Sequence, residues 1–208
     1  MATKLEQLKE WAKQNVTMID LLPNNSNLQV TTRLIDVLED EVDEKYYLSE
    51  EKTRKLTLDH DLGGKLNMYD YNERDKIHSV NKVSPTLNTM QGGDRQPKIA
   101  VREATKQGYA IAEQGDSVNV SYPTSKTRRG RVGKQVAQTL QAGEVNQGVV
   151  MNDIRIRKLS PLECWRLQGF TDEQFYKAKD SGVSNSQLYK QSGNAVSVPV
   201  VDAIVKCL

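Results

Sequence analysis

The sequence predicts an α+β fold, a small irregular β-rich domain flanked by helices, and three observations carry it. Apolar residues recur at helical spacing near the N-terminus and again after Arg155. Between Leu66 and Met151 the texture changes to short runs of β-type residues punctuated by Gly, Asn, Pro and Ser. Helix start and stop signals crowd the stretch LSPLECWRLQGFTD, residues 159–172.

Taken in order, residues 4–15 (KLEQLKEWAKQN) set Leu5, Leu8, Trp11 and Ala12 on one face of a short amphipathic helix. The loop PNNSN at 23–27 follows, and a first segment of helix and linker spans 1–32. A helical link covers 33–64. In it Leu34 to Leu38 enters a short helix with an acidic tail ending near Tyr46-Tyr47-Leu48, and Ser49 with Glu51 and Lys52 starts another that ends before Gly63-Gly64. The β-rich region spans 65–153, with strand-like runs at 98–101, 117–121 and 147–151. It holds a weak internal repeat, VSPTL at 83–87 against VAQTL at 136–140. Residues 154–208 are read as helical. Ser160 can cap a helix, Pro161 suits its first position and Glu163 completes a capping box. Gly169 can end that helix in a left-handed conformation, and Thr171 with Gln174 opens the next. Pro199 falls in the first turn of a last helix with Val200, Val201, Ile204 and Leu208 on its apolar face.

Composition bounds the function. A chain of 208 residues suggests one domain or two small ones. Its hydrophobic fraction is 37% with two Phe and two Trp, so Tyr, Val, Ile and Leu must fill a thin core. No apolar run approaches the about 20 residues that span a bilayer, and the N-terminus lacks a signal-peptide core, so a cytoplasmic chain without membrane partners is expected. Two Cys and two His far apart in sequence make no metal site. Cys164 sits between Glu163 and Trp165 in a crowded short helix, where a thiol acts as a small buried hydrophobe.

The net charge of +2 is unevenly spread. Residues 36–51 are strongly acidic, as on a solvated helical face. The run KTRRGRVGK at 126–134 holds five basic residues and no acid. Within it Lys126, Thr127, Arg128, Arg129, Gly130 and Arg131 form either a soluble turn or a phosphate-binding surface. The glycine spacing of Gly130 and Gly133 does not make a nucleotide-binding P-loop.

Two C-terminal stretches carry a specific match. RIRKLSPLECWRLQGFTDEQF at 155–175 and NSQLYKQSGNAVSVPVVDAI at 185–204 resemble the ninth and tenth motifs of the DNA (cytosine-5)-methyltransferases, in order and spacing. RLIDVLEDEVDEKYYLSEEK at 33–52 resembles the link after the family's catalytic half, and GDSVNVSYPTSKTRRGRVGK at 115–134 its bacterial and phage-type target-recognition region. The resemblance covers roughly 33–208. It implies that Lys126–Arg131 contact double-stranded DNA, and that Thr139 and Leu140 belong to the recognition loop. Arg157, Glu163, Arg166 and Asp172 would organise that region from beneath through charge-assisted hydrogen bonds. Gly193, Asn194, Ala195 and Val196 would help close a pocket for S-adenosyl-L-methionine against a catalytic half, with Ala195 standing where Ser is commoner.

The departures are equally specific. These residues hold no Phe-x-Gly-x-Gly loop, no Pro-Cys pair and no Glu-Asn-Val tripeptide. The resemblance therefore implies a DNA-recognition half with no catalytic residue of its own and without the Rossmann-like half. A separate catalytic methyltransferase subunit would complete the cofactor site. The rival reading is a stand-alone DNA-binding module or competitor without catalysis.

Overall fold

The computed structural model describes residues 32–58, 77–80, 97–142 and 145–206, together with Lys4, Glu6 and Trp11. Those last three are helical and fall within the helix expected at 4–15. The loop at 23–27 and the first copy of the repeat, 83–87, lie outside the described residues. The acidic link is not the helix its composition suggests. It forms two short 3-10 turns, Leu34–Val37 and Glu44–Tyr46, before helix α1, Glu50–Leu56. Two of its carboxylates act locally instead: Asp36 binds Arg33, and Asp43 caps the second turn through the Lys45 amide. Ser49 caps α1 by accepting from the Lys52 amide.

Seven strands form two small sheets among the described residues. In the first, β1 (Ile77–His78) runs parallel to β2 (Lys98–Arg102), which pairs antiparallel with β3 (Tyr109–Ala112). The second is antiparallel throughout, in the order β5 (Val132–Gly133), β4 (Ser117–Asn119), β6 (Gln147–Val150), β7 (Ile156–Lys158). Strand β7 lies where the sequence reads as helical. Leu159 donates its amide to the Gln147 carbonyl and Leu48 to that of Ile156, so the ladder and the link together hold 156–158 extended.

Helices α2 (Pro161–Leu167), α3 (Asp172–Asp180), α4 (Asn185–Asn194) and α5 (Val198–Val205) complete the chain. The capping boxes of Ser160 with Glu163 and of Thr171 with Gln174 are both formed. Gly169 ends the first of these helices with φ +85°, and a side chain there would strike Pro199 of α5.

Strand β6 is buried on both faces and divides two cores. Val150 joins Leu56, Ile99, Val101, Val118 and Ile156 between the sheets. Val149 points the other way, into a cluster with Leu34, Val37, Leu159 and Cys164. A third cluster of Leu162, Phe175 and Leu188 holds the helices together.

Candidate nucleic-acid interface

The basic run becomes a surface loop with one member turned inward. Lys126, Thr127, Arg129 and Gly130 are exposed and Arg128 is half-buried. Arg131 is only 1% exposed. Its Nη1 donates to the carbonyls of Asn119 and Ser121 at 3.0 and 2.9 Å, and its Nη2 to that of Tyr122 at 2.7 Å. Its own amide donates to Glu103 Oε1. Burial, and then the charge of Arg128, pull this guanidinium down from its usual pKa. Arg131 thus clamps the loop from below and does not face outward with its neighbours.

The clamp sets the shape of the turn above it. The Tyr122 carbonyl also accepts the Ser125 amide at 3.0 Å. Tyr122 itself has φ +47°, a left-handed conformation that a bulky side chain rarely takes, and is 72% exposed. On the far side of the loop, Arg128 accepts the Ala104 amide at 2.8 Å, and Arg129 Nε donates to the Ala104 carbonyl at 2.9 Å. A second loop, 104–108, is therefore fastened to the basic one and brings in the exposed Lys106. Neither 104–108 nor 121–131 contains an acidic residue.

Lys134 closes the run differently. Its Nζ lies 2.7 Å from Oδ2 of the buried Asp116, which also accepts from the amide and side chain of Gln135. It is committed to that carboxylate.

Gln138 brings the two candidate recognition segments together. Its Nε2 donates to the carbonyls of Gly130 and Arg131 at 2.7 and 3.1 Å, while its amide donates to Gln147 Oε1. Thr139, next along, is exposed, and its carbonyl accepts from Asn146 Nδ2. Leu140 is half-buried and packs on the core around Leu34 and Cys164. Sequence reading missed Lys106, Tyr122 and Gln138. Only Lys106 carried a signal, a cation in a polar turn before Gly108.

Where β7 meets α2, Arg157 and Glu163 form a bidentate pair at 2.9 and 2.7 Å, both 0% exposed. Glu163 also accepts the amides of Ser160 and Glu39, so one carboxylate joins β7, α2 and the acidic link. Arg157 Nε has no partner among the described residues. Nearer the surface Arg166 grips Asp172 at 2.7 and 2.6 Å and donates to the Val37 carbonyl. Hydrogen bonding to Arg166 holds the Asp172 carboxyl below the usual range. Cys164 is 2% exposed, and burial, aided by Glu163, pushes its thiol up. A thiolate is not accessible there.

Gly193 packs directly on the segment after Leu140. An added Cβ would lie 2.5–2.7 Å from backbone atoms of Gln141 and Ala142. Asn194 ends α4 and Ala195 follows as its C-cap. Both line an open hollow of about 520 Å³ with Trp165, Phe170, Gln187 and Lys190. Val196 is 63% exposed, and the α5 side chains Val198, Val200, Val201 and Val205 are also exposed. Among the described residues no helix is long and apolar enough to cross a membrane, and no metal-binding cluster of His, Cys, Asp and Glu gathers.

A family model described as C-5 cytosine-specific DNA methylase matches residues 4–208. That match reaches further towards the N-terminus than the resemblance at 33–208. The orphan methyltransferase M.SPBetaI of Bacillus phage SPbeta is 40% identical over 193 residues, covering 84% of this chain and 42% of its own length. The putative type II methyltransferase M.BsuMIIP of Bacillus subtilis (strain 168) gives the same identity and coverage. The orphan methyltransferase M.SPRI of Bacillus phage SPR is 32% identical over 247 residues, covering 98% of this chain and 56% of its own length. The chain thus spans about two-fifths to somewhat over half of the length of these relatives.

Proposed function

Because the chain belongs to the C-5 cytosine-specific DNA methylase family, we propose that it is the DNA-recognition part of such an enzyme, reading duplex DNA while a catalytic half outside these 208 residues supplies the chemistry. Methylation at C5 of cytosine needs a thiolate that attacks the ring and makes C5 nucleophilic. No Pro-Cys pair occurs in these 208 residues, and the thiol of Cys164 is buried. The nucleophile therefore belongs to the other half.

One observation carries the reading. Lys106, Lys126, Arg128 and Arg129 stand on two loops fastened to each other, neither containing an acidic residue. Such a surface suits the phosphate backbone, because each cation that meets a phosphate releases condensed counterions. Arg131 lies below it and acts by position: its side chain is buried, and Nη1 and Nη2 donate to three carbonyls of the loop, so it does not face a base. Thr139 is the exposed member of the adjoining segment and the candidate for a base-edge contact, with Leu140 anchoring it in the core.

The residues expected to hold S-adenosyl-L-methionine do not enclose it by themselves. Gly193 is packed against backbone, and Asn194, Ala195 and Val196 form an open edge. In this reading they close a pocket whose other walls belong to the catalytic half, and the apolar face of α5 is the surface that half covers.

The test is fluorescence anisotropy of the chain on mixed-sequence duplexes across a salt series. Binding should weaken steeply with salt, and Arg129→Ala should lower affinity on all sequences alike while shallowing the log–log slope by about 0.9. A wild-type chain that binds no duplex, with or without a catalytic half, would overturn the reading.

A further inference from the structure

Tyr122 is the most exposed large apolar side chain among the described residues, at 72%. It is also a bulky residue held at φ +47°, where the Cβ of an L-residue crowds the backbone. Neither feature helps the fold. A strained turn that pushes an aromatic ring into water persists only because its surroundings impose it. Here the imposing groups are identified. The Tyr122 carbonyl accepts from Arg131 Nη2 at 2.7 Å and from the Ser125 amide at 3.0 Å. Arg131 is buried and fixed by two further carbonyls. The ring thus projects from the root of the loop that carries Lys126, Arg128 and Arg129.

We propose that Tyr122 is a specificity-determining residue whose ring packs against a DNA base while the neighbouring cations hold the phosphates. The inference rests on the DNA-recognition reading and deepens it. Phosphate contacts fix register but carry no sequence information. A fixed aromatic ring beside them supplies an apolar contact to a base edge, such as a thymine methyl group. A rigid turn suits this task, because a ring held in place loses little freedom on binding. Pro123, directly after it, removes further freedom from the turn.

The test sets two properties against each other. Asn tolerates a left-handed backbone better than Tyr, so Tyr122→Asn should hold or raise Tm. The same substitution should weaken duplex binding about ten-fold, within the range for losing the readout of one base pair. Its salt slope should match wild type, since no charge is lost. The pool of duplexes it enriches from a randomised library should relax at one position. Tyr122→Phe should keep both affinity and preference. A chain that binds duplex DNA with a steep salt slope, yet is indifferent to Tyr122→Asn, overturns this inference and leaves the DNA-recognition reading standing. A lowered Tm with unchanged sequence preference also overturns it, because the ring would then serve the fold. A wild-type chain without duplex binding removes both.

Discussion

Glu163 shows how much of the molecule can hang on one side chain. Its two oxygens take the Arg157 fork and the amides of Ser160 and Glu39. Glu163→Gln keeps the shape but removes the charge and one acceptor, leaving the Arg157 cation buried without a counter-charge. The expected loss is about 3–5 kcal/mol, read from urea unfolding. Replacing both partners by apolar residues of similar volume should recover only part of it, because the Ser160 and Glu39 amides then lose their acceptor. Sequence alone suggests this pair, because the ninth-motif resemblance sets both residues beneath the recognition region. It does not find the Arg131 clamp. A basic run among Gly, Ser and Thr looks uniformly exposed, and which of its members turns inward depends on carbonyls nine to twelve positions away. Tyr122 escapes sequence reading for the same reason, since nothing local specifies a left-handed tyrosine.

At the scale of elements, the contact between α4 and the segment after Leu140 is the tightest coupling near the site. Gly193 is required there by proximity: any Cβ meets the backbone of 141–142 at well under 3 Å. Gly193→Ala should therefore force α4 and the recognition segment apart. The expected outcome is a loss of about 1–3 kcal/mol, as for other overpacked sites, seen as a lowered Tm together with altered preference in the duplex-binding assay. A lowered Tm with intact preference would limit the contact to structure. The resemblance points Gly193 at a cofactor, and the position a Cβ would take there is filled by the backbone of Gln141 and Ala142. Other elements were more legible. The strands at 98–102 and 147–150 fall where β-branched residues cluster, and the capped starts of α2 and α3 follow from Ser160, Glu163, Thr171 and Gln174. The short strand β5 and strand β7 are not legible locally, because Gly133 and Arg157 are poor strand residues that only ladder partners make extended.

At the scale of the whole molecule, the chain presents two surfaces that the proposed function uses separately, cations on the loops and valines on α5. They can be tested apart. Val201→Glu lies on an exposed position and should change the stability of the chain alone by no more than about 0.5 kcal/mol. A catalytic half added at about 100 times its Kd should stabilise the wild-type chain by about 2.7 kcal/mol, and Val201→Glu should abolish that gain while leaving salt-dependent duplex binding intact. Equal stabilisation of both chains would remove α5 from the interface. The Arg131 clamp has a consequence of a different kind. It holds its loop wholly through main-chain carbonyls, and a carbonyl is the same in every amino acid. Apart from Arg129, whose side chain ties the neighbouring loop, the side chains riding on that loop are free to be rewritten by mutation without disturbing the scaffold below. Under the proposed function, a lineage under pressure to change its target can exchange this turn as a cassette, so long as the arginine underneath stays.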